Sequence, residues 1–64
     1  MIHGSAVIHP TAQIAEGVEI GPNVVIGENV KLEKGVKIFA NTYLEFCEVG
    51  ENTVIGPFAS IGTP

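Results

Sequence analysis

The side chains able to do chemistry in this 64-residue chain are two histidines, one cysteine, three lysines and seven acidic residues, all of them glutamates. His3 and His9 could serve as general bases or as metal ligands, since imidazole changes its charge near neutral pH. Cys47 could serve as a nucleophile if a neighbouring cation lowered the pKa of its thiol. What these groups can do depends on which of them the folded chain brings together.

A repeat of six residues sets the elements that must position these groups. Every isoleucine and leucine lies on one series of anchors, which slips by one residue after Leu44 and then resumes. The anchors are Ile2, Ile8, Ile14, Ile20, Ile26, Leu32, Ile38, Leu44, Val49, Ile55 and Ile61. A strict spacing of six residues is typical of a hexapeptide β-helix. An α-helix would show apolar residues at spacings of three and four, and a flat strand would show them at a spacing of two. We therefore predict an all-β fold, a parallel β-helix of hexapeptide repeats with a little over three coils. It forms a single domain over residues 1–64, with the slip at about 45–48.

Each hexad divides into a short strand and a corner. A small or β-branched residue stands two places before each anchor, and both point inward because residues two apart in a strand share a face. These inward partners are Ala6, Ala12, Val18, Val24, Val30, Val36, Thr42, Cys47, Thr53 and Ala59. The pattern predicts strands of about four residues. Gly or Asn recurs as the third residue after the anchor in six hexads, where a sharp corner needs positive φ.

The residues between anchor and inward partner point outward and form columns along the solenoid. Known hexapeptide β-helices place three hexads in each coil. Equivalent residues of successive coils then lie about 4.8 Å from each other. The columns are then Val7, Val25, Tyr43 and Ser60; Gln13, Lys31 and Glu48; and Glu19, Lys37 and Val54. The last two can pair charges between coils. The first is apolar over most of its height and predicts a subunit interface at Val7, Val25 and Tyr43, with Phe39 and Phe58 beside it. The alternative is that these are scattered exposed apolar residues of the ordinary kind.

The repeat keeps the reactive side chains apart. His3 and His9 each follow an anchor, on successive faces of the coil, and we expect them not to converge. A metal site would need a third ligand from a facing strand. Cys47 occupies an inward position and is predicted to pack as a small hydrophobe. We therefore predict no catalytic, cofactor-binding or metal-binding residue in this chain.

The composition excludes several classes of partner. The net charge of −4 argues against nucleic acid, which needs clustered Lys and Arg. The longest apolar run is three residues, far short of a membrane span. The N-terminus lacks the pattern of a signal peptide, and a lone cysteine favours a reducing compartment. These features predict a cytoplasmic protein.

Three segments resemble one family. Residues 8–12 (Ile-His-Pro-Thr-Ala) and 17–23 (Gly-Val-Glu-Ile-Gly-Pro-Asn) are similar to the opening coils of the bacterial acyltransferases of lipid A biosynthesis. Residues 57–64 (Pro-Phe-Ala-Ser-Ile-Gly-Thr-Pro) and the short N-terminus resemble the UDP-N-acetylglucosamine O-acyltransferases rather than the related N-acyltransferases.

The resemblance implies a left-handed β-helix that works as a homotrimer. It also implies an activity, the transfer of a 3-hydroxyacyl group from acyl carrier protein to UDP-N-acetylglucosamine with a histidine as general base. No position here matches a catalytic or substrate-binding residue of the family, whose members are several times longer. We therefore expect an N-terminal segment that self-associates and has no catalysis of its own.

Two alternatives remain open. The chain could be a complete small scaffold that assembles through its hexads. It could also be an acyltransferase of another hexapeptide family that uses His3 or His9 across a trimer.

Overall fold

The chain forms a stack of coils, each built from three very short strands. The computed structural model describes residues 1–62; Thr63 and Pro64, which end the third family segment, lie outside the described residues. The strands are β1 (Val7–Ile8), β2 (Gln13–Ile14), β3 (Glu19–Ile20), β4 (Val25–Ile26), β5 (Lys31–Leu32), β6 (Lys37–Ile38), β7 (Tyr43–Leu44), β8 (Glu48–Val49), β9 (Val54–Ile55) and β10 (Ser60–Ile61). Each strand is one outward residue and its anchor. The predicted length of about four residues was wrong, because each residue that flanks a strand contributes only one backbone group to the pairing, as the Val24 carbonyl oxygen and the His9 N–H do.

The strands pair in parallel to form three sheets. The first sheet has the order β1-β4-β7-β10, the second β2-β5-β8 and the third β3-β6-β9. Val7 pairs with Val25, and Val25 with Tyr43, which is a step of one coil. Across the slip Lys31 pairs with Glu48, so one residue fewer completes that coil. The predicted parallel β-helix, with three strands per coil and a little over three coils, is confirmed.

The core is a single column of aliphatic side chains down the axis of the solenoid. In the middle coils the anchors and their inward partners are almost fully buried, as Val24, Ile26 and Leu44 show at 0 %, 1 % and 0 % exposure. The predicted inward set is confirmed there. At the two ends it is not, because no further coil covers Ile2 and Ile61, which are 45 % and 37 % exposed. Thr53, predicted to point inward, is also exposed.

The corners follow the predicted Gly and Asn positions. Positive φ occurs at Gly17, Asn23, Asn29, Gly35, Asn41 and Asn52, which are the six residues predicted. Positive φ also occurs at Gly62 and at two bulky residues, Phe46 (φ 50°) and Phe58 (φ 61°). For a bulky side chain this conformation is uncommon. Phe46 lies in the shortened corner at the slip, and Phe58 takes the place that Gly or Asn has elsewhere.

Among residues 1–62, one polar side chain lies inside the core. Thr42 stands where the coil above has Val24 and is 2 % exposed. Its hydroxyl donates to the Phe39 carbonyl oxygen at 2.9 Å and lies 3.3 Å from the carbonyl oxygen of Gly56. The hydrogen bond removes the penalty of burying a hydroxyl. Thr42 therefore ties its own corner to the corner of the next coil.

Candidate association surface

The outer face of the first sheet is apolar along most of its height. Val7 is 61 % exposed, Val25 is half-buried and Tyr43 is 37 % exposed, and Ser60 completes the column. The strand pairing places these residues directly above one another. The predicted column is therefore present on the surface. We call this column the apolar face.

Aromatic residues lie at the corners on both sides of the apolar face. The entry corners, residues 3–5, 21–23, 39–41 and 56–58, precede the strands of the first sheet, and the exit corners, residues 9–11, 27–29 and 45–46, follow them. Phe39 and Phe58 stand on entry corners with 51 % and 79 % exposure, and Phe46 stands on an exit corner with 49 %. The predicted neighbours Phe39 and Phe58 thus do adjoin the face. The sequence analysis did not predict that Phe46 adjoins the apolar face, although its place in the shortened corner could have indicated this.

The left-handed backbone of Phe46 and Phe58 sets these two aromatics apart. An L-residue in this conformation costs on the order of 1 kcal/mol or more, and Gly or Asn would avoid most of that cost. The exposed rings bury little surface within the chain to offset it. Backbone strain that local packing does not repay is frequent at sites of contact with other molecules.

Carboxylates lie at the exit side of the apolar face. Burial and the charges of Glu45 and Glu28 raise the pKa of Tyr43 above its ordinary value. The phenol is therefore uncharged at neutral pH. The edge of the face at the exit corners is thus acidic.

The other two faces are polar. On the second sheet Lys31 lies 3.5 Å from Glu33 and 3.7 Å from Glu48, which confirms the predicted pairing between coils. On the third sheet Glu19 and Lys37 are neighbours in register, but no ion pair within 4.0 Å joins them among the described residues. That predicted pair is wrong in this structure. Exposed pairs of this kind contribute little, about 0–1 kcal/mol.

The two histidines lie on different corners of the first coil. His3 is on an entry corner and His9 on an exit corner, with β1 between them. The Nδ1 atom of each is engaged with the hydroxyl two residues ahead, Ser5 or Thr11, at 2.9 Å. In residues 1–62 no three His, Cys, Asp or Glu side chains lie close enough together to hold a metal ion. Sequence reasoning missed the His-to-hydroxyl contacts, although the spacing of two at both sites was visible.

Cys47 packs against the core from the inward position predicted for it, but it is only half-buried. Burial raises the pKa of its thiol, and a hydrogen bond to the backbone of Glu45 offsets part of that rise. A thiol with a raised pKa carries little thiolate at neutral pH, so it is a poor nucleophile. This environment suits packing rather than catalysis.

No helix within residues 1–62 is long and apolar enough to cross a membrane.

Comparisons with known proteins found one matching family and several solved structures of the same fold. The family described as "GMPPB C-terminal domain" matches residues 2–63. No curated protein matches the chain. Among solved structures, a UDP-N-acetylglucosamine acyltransferase has a TM-score of 0.96 and 50 % identity, over 98 % of this chain and 25 % of its own. The Arabidopsis UDP-N-acetylglucosamine acyltransferase has a TM-score of 0.92 and 41 % identity, over 97 % of this chain and 22 % of its own. LpxA from Acinetobacter baumannii has a TM-score of 0.93 and 40 % identity, over 95 % of this chain and 24 % of its own.

These structures confirm the resemblance to the UDP-N-acetylglucosamine acyltransferases. The chain spans about a quarter of the length of those relatives. The identity of 40–50 % extends along 95–98 % of the chain. By its match over residues 2–63, the chain belongs to the family described as the GMPPB C-terminal domain, and its fold is similar to a quarter of a UDP-N-acetylglucosamine acyltransferase.

Proposed function

We propose that this chain is the N-terminal β-helical segment of a UDP-N-acetylglucosamine acyltransferase. The observation that carries the proposal is the identity of 40–50 % along 95–98 % of the chain, at TM-scores of 0.92–0.96. The longer protein would transfer a 3-hydroxyacyl group from acyl carrier protein to UDP-N-acetylglucosamine in lipid A biosynthesis. The compartment proposed with it is the cytoplasm, which the single half-buried thiol of Cys47 suits.

In the longer protein the role of this segment is structural. Its two histidines are each held by a hydroxyl of their own corner, and its cysteine has a raised thiol pKa. The strands instead offer parallel edges on which further coils can stack. The segment begins the solenoid and positions the coils that carry the chemistry.

The segment also contributes to assembly, and we propose a homotrimer formed through Val7, Val25 and Tyr43. A cyclic trimer needs two different surfaces on each subunit. The apolar face and the neighbouring entry corner with Phe39 and Phe58 are two such surfaces, both apolar and adjacent. The strained backbone of Phe58 suits a role in contact.

The size of the apolar face limits how tightly the isolated segment associates. The chain measures 27 × 21 × 20 Å, so one face offers on the order of 500 Å², against about 800 Å² per partner in a standard interface. Association of the 64 residues alone is therefore weak and depends on concentration. Additional coils of a longer protein would extend the same face.

The functional proposal is tested by a chimera. Residues 1–62 replace the matching quarter of LpxA from Acinetobacter baumannii, and transfer of a 3-hydroxyacyl group to UDP-N-acetylglucosamine is assayed. We expect activity comparable to that of the parent protein, and none from the 64-residue chain alone. The same chimera carrying Ile26→Asp, which disrupts the core, serves as the inactive control.

A chimera that folds and assembles like its parent but lacks activity would contradict the proposal. Activity of the 64-residue chain alone that is lost in His3→Ala or His9→Ala would favour an acyltransferase of another hexapeptide family.

Association through the apolar face is tested by Val25→Asp. The charge lies at the centre of the face, and desolvating it in an interface should weaken association by at least about tenfold. The measurement is the molar mass by light scattering over a range of protein concentrations. Lys37→Asp is the matched control, because it introduces the same residue at the outward position of the third sheet in the same coil. A wild-type chain that stays monomeric at high concentration, or equal effects of both variants, would refute this face as the interface.

A further inference from the structure

Five corners of the later coils share one kind of hydrogen bond between coils. In each, the residue with positive φ donates its backbone N–H to the carbonyl oxygen of the second corner residue in the coil before. The donor and acceptor pairs are Gly35 and Glu16 (3.2 Å), Asn41 and Pro22 (3.1 Å), Phe46 and Glu28 (2.8 Å), Asn52 and Lys34 (3.0 Å), and Phe58 and Ala40 (3.2 Å). This bond needs a preceding coil to supply the carbonyl oxygen.

The entry corner of the first coil, residues 3–5, has a different backbone. It is a turn closed by a hydrogen bond of 3.0 Å from the N–H of Ala6 to the carbonyl oxygen of His3. Its third residue, Ser5, lacks the positive φ that the later corners have there. Turns with and without positive φ at this place differ in the direction of their central peptide unit. The N–H of Ser5 is therefore turned away from the side on which a preceding coil would lie.

Side chains supply the hydrogen-bond partners at this corner. The Nδ1 atom of His3 accepts the backbone N–H of Ser5 at 3.1 Å and lies 2.9 Å from the Ser5 hydroxyl oxygen. The same hydroxyl oxygen accepts the backbone N–H of Asn23 at 3.0 Å, in place of the backbone carbonyl that accepts at the later corners. None of these contacts requires a coil before the first.

The exit corner of the first coil, residues 9–11, repeats this arrangement. The Nδ1 atom of His9 accepts the Thr11 N–H at 3.2 Å, and the Thr11 hydroxyl oxygen accepts the Asn29 N–H at 3.1 Å. Thr11 also lacks positive φ, whereas the remaining corner of the coil keeps it at Gly17. Two separate corners with the same three partners indicate a feature of the fold rather than a chance contact. The feature is confined to the two corners beside β1.

We propose that His3 and His9 are caps that close the N-terminal end of the solenoid on both sides of β1. Each acts as the N-cap of an α-helix does, by offering a side-chain acceptor to a backbone donor that has no partner in a preceding turn. Uncapped, the two N–H groups would lie at an open strand edge, where another chain can pair. The caps are thus positioning residues for Val7, which ends the apolar face. They concern this segment alone and are independent of the enzyme activity proposed above.

Loss of a cap should be felt first in β1. This strand is only two residues long, and the N–H of Val7 donates to the carbonyl oxygen of Val24 at 2.9 Å. Its anchor Ile8 is half-buried, so packing holds it less firmly than the anchors of the middle coils. Elements with few buried contacts open locally at a low free-energy cost. The amide of Val7 therefore reports on the caps, and the amide of Val25, one coil further on, is the internal reference for global unfolding.

The test compares two double variants by hydrogen exchange at pH 7.5. In His3→Asn/His9→Asn, an amide oxygen takes the place of Nδ1 and can accept the N–H two residues ahead. In His3→Gln/His9→Gln, the amide reaches the place of Nε2 instead and cannot accept that N–H. We expect the Asn variant to match the wild type. In the Gln variant the Val7 amide should exchange about two- to tenfold faster, relative to the Val25 amide, for each cap lost.

The hydroxyl half of each cap is tested by Ser5→Ala/Thr11→Ala. The amides of Asn23 and Asn29 lose their acceptor and should exchange about two- to tenfold faster than in the wild type. The amide of Asn41 is the matched reference, because its acceptor is a backbone carbonyl oxygen that neither substitution touches. Unchanged exchange at Asn23 and Asn29 would overturn the proposal.

The comparison of Asn with Gln separates a cap from a merely bulky or polar side chain. Equal exchange of Val7 in the two variants, or equal acceleration of Val7 and Val25 in the Gln variant, would overturn the proposal. A Gln variant that fails to fold beside an Asn variant that folds would support it, whereas an Asn variant that fails to fold would overturn it. Because no activity is measured, an inactive chimera would refute the proposed enzyme and leave the caps standing.

Discussion

Ile26→Asp should abolish the cooperative unfolding transition of this chain. Ile26 is 1 % exposed and is paired in register with Ile8 above it and Leu44 below it. A carboxylate there has no hydrogen-bond donor and no cation within the aliphatic column. The penalty of several kcal/mol is a large part of the total stability expected for 64 residues, at about 0.05–0.15 kcal/mol per residue.

The measurement is far-ultraviolet circular dichroism with denaturant titration, against two controls. Ile26→Val should cost only about 0.5–1.5 kcal/mol and keep the transition. Lys37→Asp introduces the same charge at an outward position of the same coil and should be nearly silent. If Ile26→Asp and Lys37→Asp had similar stability, the assignment of inward and outward positions would be wrong.

From the sequence alone, Lys31→Asp would serve equally well as the silent control. The structure shows that it would not, because Lys31 lies between Glu33 and Glu48. An aspartate there would leave three carboxylates together and add a small repulsion. Lys37 makes no ion pair within 4.0 Å among the described residues, and Lys37→Asp would place a carboxylate beside Glu19 alone, so it is the cleaner choice.

A series of Gly→Ala variants should separate backbone strain from steric overlap at the corners. Gly56 has no positive φ and has open space where the Cβ of an alanine would lie, so Gly56→Ala should be neutral or slightly stabilising. Gly17 has φ +73°, with its nearest atoms at 3.9 Å, so Gly17→Ala should cost about 1–2 kcal/mol from the backbone alone. Gly35 has φ +76°, and a Cβ there would in addition overlap the amide oxygen of Asn52. Gly35→Ala should therefore be the most destabilising of the three.

The readout is the free energy of unfolding of each variant under one set of conditions. Gly17→Asn is the rescue control, since Asn tolerates the left-handed conformation that it adopts at the equivalent corners Asn29 and Asn52. Equal stabilities of Gly56→Ala and Gly35→Ala would contradict the corner geometry. A loss in Gly17→Asn as large as in Gly17→Ala would show that the penalty comes from something other than φ.

Most of the fold could be predicted from the sequence because core and corner chemistry repeat in the same phase. Ile26 and Val24 are inward for the same reason as every other anchor and partner, and the six Gly and Asn corners have the positive φ expected of them. The slip was also visible, since Cys47 and Val49 resume the pattern one residue early, and Lys31 pairs with Glu48 as that requires.

The candidate surface was only partly predictable. The column of Val7, Val25 and Tyr43 follows from the period and the number of hexads per coil. The contribution of Phe46 does not, because it depends on how the chain turns through a corner that is one residue short. The contacts of His3 and His9 also could not be predicted from the six-residue repeat, since these corners lack the Gly or Asn that the later corners have.

By itself, the sequence determined which residues face inward, where the chain turns and which outer column is apolar. These are properties of a periodic chain in which each coil meets only its neighbours, so a local pattern carries over to the whole stack. Only the tertiary structure decided what non-repeating residues do. The open ends expose Ile2 and Ile61, Phe58 takes a strained conformation, and the hydroxyls of Ser5 and Thr11 join two coils. Such features depend on the distances between neighbouring coils, which the six-residue period does not encode.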